Sequence, residues 1–246
     1  NLPVQQVSSL KDSTDIVVES VPSNDYFYFA ANQAREPFSD VRVRQALAWA
    51  IDRDAIVQAA WFGNAAANQT AIPSTRGWYY DYAPYSRDLD KAAALLEEAG
   101  VSDLEVDLRV VSSETAAVTA AQVIAANLAD IGVTVNIRQP DSTTWIAEQG
   151  AANFDIFMWS WIGNLDPSDF YYAQHHSTGG FNAQGYNNPD VDTALDAAAV
   201  ETDPDARKAL YDQAATMIVD DASYVYLANP DISQGYSPNV EGYTVR

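Results

Sequence analysis

LEVDLRVVSSETAAVTAAQVIAANLADIGVTVNIR, residues 104–138, carries two hydrophobic periods in succession. Val106, Leu108 and Val110 alternate with polar residues, which predicts a strand over Leu104–Val111. From Thr115 to Ile131 the apolar residues recur at helical spacing, and Gly132 supplies a stop. Val133–Arg138 alternates again. A strand, a helix and a strand in this order favour a parallel pair joined by a right-handed crossover.

The same reading extends outward. Asp15–Ser20 and Tyr26–Ala30 predict two strands around the turn-like Pro22-Ser-Asn-Asp25. Asp40 can cap a helix running to about Trp61. A long loop over residues 63–87 follows, then a helix from Asp88 or Asp90 to Glu98 with Gly100 behind it. Asp141 caps a helix to about Gln149, and Phe154–Trp159 is apolar enough for a buried strand. Trp161 to Asn187 is polar, aromatic and irregular. Asn188-Pro189 and Asp203-Pro204 each place Pro behind a capping residue, which predicts helices over 189–200 and 204–221. Tyr224–Leu227 is a last strand. The expected fold class is α/β, a mixed sheet flanked by helices. No repeat or linker divides it, so residues 1–246 form a single domain.

Composition narrows the function. Thirteen Lys and Arg stand against 34 Asp and Glu, a net charge of −21 spread along the chain. Such a surface repels nucleic acid and anionic membranes. It also suits a protein working in high salt, where charge repulsion is screened, so a salt-adapted source is expected. There is no Cys, which excludes disulfides, thiol catalysis and Cys metal sites. No apolar run reaches the roughly 18 residues of a membrane span, and none of these residues is expected to serve as a signal peptide. The chain begins at Asn1, so a mature or truncated product is expected.

Asn32 through Arg53, NQAREPFSDVRVRQALAWAIDR, is the most specific stretch. Further motifs follow in order: Asp90-Lys-Ala-Ala-Ala-Leu-Leu-Glu-Glu-Ala-Gly100, Ile131-Gly132-Val133, Phe154-Asp155 before Trp161 and Asp166-Pro167, Gly185-Tyr186-Asn-Asn-Pro-Asp-Val-Asp192, and Arg207-Lys-Ala-Leu-Tyr211. Together they resemble the second large lobe of the family 5 extracellular solute-binding proteins, the dipeptide, oligopeptide and nickel-binding group. The resemblance implies a type II periplasmic-binding-protein-like lobe whose N-terminal partner lobe is absent. It implies the substrate-binding component of an ABC importer, capturing a peptide or other small solute outside the membrane. The implied partners are that ligand and, in the full-length protein, an ABC permease. The implied location is periplasmic or cell-surface, with a lipid anchor on the absent N-terminus as one means of attachment.

Ligands of α/β sheets sit beyond the carboxyl ends of strands, which points to Ser160-Trp-Ile-Gly-Asn-Leu-Asp166. Trp159 and Trp161 offer flat apolar area, Gly163 permits close backbone approach, and Asn164 and Asp166 can orient polar groups. In the relatives this motif pairs its backbone with an extended peptide, and an Asp meets the ligand's ammonium. Here that position is Asn164, so a neutral ligand is expected unless Asp166 substitutes. Ile156, Phe157 and Met158 stand where oligopeptide-binding relatives often place an Arg. Trp145 follows Asp141 as a cleft-lining Trp does in some relatives.

Other residues point elsewhere. His175 and His176 are adjacent and are expected as an exposed loop pair; with no Cys and no ligand spacing, neither a metal nor a cofactor is expected. Asp190, Asp192 and Asp196 suit a helix start. Arg42, Arg44 and Arg53 are expected to pair with nearby acids such as Asp40, Asp52 and Asp54. Two alternative functions are kept open. One is a carboxylate-based hydrolase, although no nucleophile elbow or Ser-His-Asp order stands out. The other is a stand-alone interaction module. The leading expectation is capture without chemistry.

Overall fold

The computed structural model describes residues 1–245. Among them are nine helices and seven strands. The first segments are α1 (Val4–Lys11), β1 (Val17–Pro22), β2 (Tyr26–Ala31), α2 (Val41–Ala50), α3 (Arg53–Trp61), β3 (Ala65–Ala67) and α4 (Leu89–Glu98). They are followed by β4 (Glu105–Arg109), α5 (Thr115–Ala129), β5 (Thr134–Arg138), α6 (Ser142–Gly150) and β6 (Ile156–Trp161). The chain closes with α7 (Ser168–His175), α8 (Pro189–Val200), α9 (Pro204–Asp220) and β7 (Val225–Tyr236).

The strands form one mixed sheet in the order β1-β7-β2-β6-β4-β5, with β3 paired to β7. β4 is parallel to β5 and β6, so the β-α-β unit read from residues 104–138 is present. The remaining pairs are antiparallel. The ends of α4 and α5 are built alike. Gly100 (φ 71°) donates to Glu97 O while Val101 N reaches Leu96 O, both at 2.9 Å. Gly132 (φ 77°) repeats the pair with Ala129 O and Val133 N to Leu128 O, both at 3.0 Å. Each satisfies the last carbonyls of a helix through a residue free to adopt positive φ.

Capping residues start the helices as expected. Asp88, Asp141, Asn188 and Asp203 each accept a first-turn backbone N–H. The helix expected from Asp40 to Trp61 is instead two. Ile51 and Asp52 are extended, and the Asp52 carboxylate caps α3 through Ala55 N at 2.9 Å. A short acid that captures a backbone N–H competes with helix continuation, and Asp52 N is held outside α2 by Asn127 Oδ1. The stretch from Trp161 to Asn187 also contains a helix, α7, that its composition hides. β7 runs well past Leu227 because its second half pairs with β1.

Two charge expectations are corrected. Arg42 does pair with Asp40 at 2.6 Å. Arg44 and Arg53, however, are buried and donate to backbone carbonyls: Arg44 to Phe38, Ser39 and Asp221, Arg53 to Tyr226 and Tyr85. The His pair is buried rather than exposed. His175 sits between Ser223 Oγ (3.0 Å) and Tyr226 Oη (2.9 Å) inside a cluster of tyrosines in which Tyr28 and Tyr224 stack at 3.8 Å. His176 stacks on Tyr172 at 4.5 Å and faces Asp196.

Candidate functional site

The site is built around the C-terminal half of β6. β4 pairs only with Ile156 and Phe157, whereas β2 pairs along the whole strand. Met158–Trp161 therefore run past β4 with one edge unpaired among the described residues. An unpaired edge presents backbone donors and acceptors that an extended partner can meet.

Strand alternation puts Phe157, Trp159 and Trp161 on one face. Phe157 is buried, and the two tryptophans are partly exposed. Trp145 of α6 stacks on Trp159 at 4.2 Å and meets Phe157 edge-on. It is only 3% exposed, so it backs Trp159 rather than opening to solvent. An Arg109–Glu148 ion pair fastens the same helix to β4. Trp161 donates its indole N–H to Asp169 O at 3.0 Å and sets its ring edge against Phe181 at 4.7 Å.

Beyond β6 the loop is held from three sides. Gly163 lies where a Cβ would collide with the Phe170 ring and with Asn24 O at 2.6 Å. In this structure the close approach that requires glycine comes from the protein's own α7 and its 22–25 turn. Asn164 is exposed, and its carbonyl accepts from Asn24 Nδ2 at 3.1 Å. Asp166 receives both arms of Arg207, at 2.8 and 2.9 Å, and accepts the Ser168 N–H at 2.9 Å in the turn leading into α7. The guanidinium beside it, assisted by that N–H, pulls the Asp166 carboxyl down to about 2.

The resulting surface is apolar. Ile162 is 73% exposed, Leu165 79% and Phe181 57%, a density of bare apolar groups that marks a contact surface. A cavity of about 480 Å³ is lined by Trp161, Ile162, Asn164, Asp169, Tyr172 and Phe181, among others. A smaller one of about 270 Å³ follows Trp159–Ile162. Thus Trp159, Trp161 and Asn164 converge, while Trp145, Gly163 and Asp166 support them from behind. Asp169 and Tyr172 were not anticipated because α7 was not, nor was Phe181, whose N–H bonds back to Ala173 O of that helix. The available signal was Asp166-Pro-Ser168, an acid placed to accept an N–H two residues on. Among the described residues, no cluster of three or more metal-ligating side chains is present, and no helix is long and apolar enough to cross a membrane.

A mixed sheet covered by helices, with an aromatic surface beyond the end of one strand, defines a lobe of the type II periplasmic-binding-protein class. The family described as bacterial extracellular solute-binding proteins, family 5 Middle, matches residues 1–183, and the chain belongs to it. It is 28% identical to the glutathione-binding protein GsiB of Pectobacterium atrosepticum, over 99% of this chain and 50% of that protein. It is 32% identical to heme-binding protein A of Haemophilus influenzae, over 88% of this chain and 41% of that one. Among solved structures it resembles the periplasmic binding protein DppA of Helicobacter pylori in complex with the peptide STSA. The TM-score is 0.88 at 28% identity, covering 98% of this chain and 48% of that one. The chain spans about half the length of the curated relatives it matches.

Proposed function

We propose that this chain is the second large lobe of a two-lobed solute-binding protein that captures a peptide or other small solute outside the membrane for an ABC permease. The observation that carries this reading is the bare edge of Met158–Trp161 beside an aromatic cavity. Such an edge can add an extended ligand as a further strand, with neighbouring cavities taking its side chains. The names of the relatives, glutathione-, heme- and peptide-binding, support a small solute of this kind. No chemistry is required of the site. The acid that ends the motif, Asp166, is engaged by Arg207.

Closure of two lobes about a hinge completes such a site. One lobe offers half the contacts. The test is a thermal-shift screen of the two-lobed protein against di- and oligopeptides, glutathione and oligosaccharides, with calorimetry on hits and on the 246-residue chain. The expected result is micromolar or tighter binding by the longer protein, and binding by the chain alone at least about a hundredfold weaker. Hydrolysis of any ligand, or submicromolar binding by the chain alone, overturns the reading.

A further inference from the structure

Behind the cavity beyond β6 stands His176, which is 7% exposed. It ends α7, and its ring stacks at 4.5 Å on Tyr172, a wall of the cavity. Its Nδ1 accepts the Thr178 backbone N–H at 3.1 Å and lies 2.9 Å from Thr178 Oγ1. A backbone N–H can only donate, so Nδ1 carries no proton and the neutral ring holds its proton on Nε2. Nε2 is buried without a hydrogen bond, and Asp196 Oδ1 lies 3.4 Å from it.

The turn after His176 is fastened to both helices. Asp192 of α8 accepts the Ser177 N–H at 2.8 Å and also the Ser177 hydroxyl. A Cβ on Gly179 would meet Ala173 O at 2.5 Å, so the turn lies close against α7. Phe181 then donates its N–H to Ala173 O at 2.8 Å and sets its ring against Trp161. Tyr172 and Phe181, two walls of the cavity, are therefore both connected to His176.

Packing accounts for a buried ring stacked on a tyrosine. It does not account for a carboxylate on each side of that ring. Asp192 and Asp196 of α8 face it, with Asp192 Oδ1 at 3.9 Å from Nδ1. Tyr172 of α7 donates its hydroxyl to Asp196 at 2.8 Å. No Lys or Arg lies within ion-pair distance of either acid among the described residues. A second proton on the imidazole has to enter at Nδ1, where it meets the Thr178 N–H. Two donors cannot share that position, so one must leave. Asp192 can take the new N–H⁺, but its Oδ1 already holds Ser177 N.

We propose that His176 is a positioning residue of this cavity. Its neutral ring fixes Tyr172 and Phe181 for a ligand, and a proton on Nδ1 expels the Thr178 N–H, loosens the 177–179 turn and weakens binding. The proposal rests on the ligand-binding reading of the same surface and adds its pH response.

The experiment is a ¹⁵N-resolved titration of the chain from pH 8 to pH 5, the range in which histidine serves as a switch. His175, pushed down to about 3 by burial, stays neutral there. The chain has two His, so an imidazole that titrates in this range is His176. The expected result is a ring protonated only on Nε2 at pH 8, whose titration moves the Thr178 amide and the Trp161 indole with the same midpoint. The uncharged probe 2-phenylethanol, followed at the Trp161 indole, is expected to need about fivefold higher concentration at pH 5.5 than at pH 7.5. His176→Phe keeps a ring against Tyr172 and is expected to abolish both pH responses. A ring that stays neutral to pH 5, or a Trp161 response that survives His176→Phe in a variant with native spectral dispersion, overturns the proposal. Equal probe binding at both pH values removes His176 as a positioning residue while the cavity remains a ligand site. If the probe moves Trp161 at neither pH, both readings fail.

Discussion

Arg207 Nη1 lies 2.8 Å from Asp166 Oδ2, and its Nη2 lies 2.9 Å from Oδ1. The two residues belong to two separate motifs of the sequence, and the fold makes them one clamp. Arg207 also lies over the rings of Trp78 and Tyr211, at 5.4 and 5.3 Å. The fork pins the loop that carries Asn164 and starts α7, whose Asp169 carbonyl orients Trp161. Asp166 is half-exposed, so the pair should stabilise the fold by only about 1 kcal/mol. Its larger effect is expected on ligand affinity, with Arg207→Met and Asp166→Asn each weakening binding by roughly tenfold in the two-lobed protein, about 1.4 kcal/mol. Calorimetry beside urea unfolding separates the two effects; equal affinity in both variants and wild type would remove Arg207 as a positioning residue.

The same pair has a pH signature. The folded Asp166 carboxyl, at about 2, lies below its ordinary value of 3.8. Its contribution is therefore complete above roughly pH 4 and fades as pH falls toward 2. The stability difference between wild type and Asp166→Asn should shrink over that interval. A difference that stays constant from pH 5 to pH 2.5 in urea melts contradicts the assignment.

His175 works in a different window. Burial pushes its imidazole down from 6.5 to about 3. Between those values the unfolded chain binds a proton that the folded protein refuses, so stability falls as pH drops below about 6.5. The slope from this one group is at most about 1.4 kcal/mol per pH unit. His175→Gln should lower stability at pH 7, because Ser223 and Tyr226 lose their partner, and should flatten the profile between pH 6 and 4. An unchanged slope would place the acid sensitivity elsewhere.

Trp145 supports the site from behind. Trp145→Ala removes the ring stacked on Trp159 and should destabilise by about 3–5 kcal/mol. Trp145→Phe should be milder than most Trp truncations, under about 2 kcal/mol, because the buried indole N–H it deletes has no partner. Chemical denaturation ranks the two, and equal losses would mean that the stack contributes little.

Gly163→Ala places a methyl group against the Phe170 ring and Asn24 O. Overpacking of this kind typically costs about 1–3 kcal/mol. The relief, a shift of α7, should displace the Trp161 indole resonance. A variant with native stability and an unmoved Trp161 signal would show the loop to be looser than this packing implies.

The net charge predicts a salt response. A net charge of −21 repels itself at low ionic strength, and screening at 1 M salt shortens the reach of that repulsion to about 3 Å. The thermal midpoint should rise between 0.05 and 1 M KCl. A flat response would remove the argument for salt adaptation.

Much of this protein is local and was legible in order along the chain. The alternation of Val106 and Leu108, the glycines at 100 and 132, and the caps Asp88, Asp141, Asn188 and Asp203 each act within a few residues, so spacing alone reveals them. The family was legible for the same reason, because its motifs are runs of neighbouring residues. The break at Asp52 was not, since it depends on Asn127 holding Asp52 N from another helix. Nor was the burial of His175, whose partners lie some fifty residues on, or the pairing of Asp166 with Arg207. The sequence by itself determined the order of the elements, the family, and the clustering of Trp159 and Trp161 at the end of one apolar strand. Only the tertiary structure decided which of those residues face solvent, that β4 stops short and leaves the edge of β6 unpaired among the described residues, and that Asp166 is taken up by Arg207. Exposure, strand pairing and ion pairing are set by contacts between residues distant in sequence, and no local period encodes them.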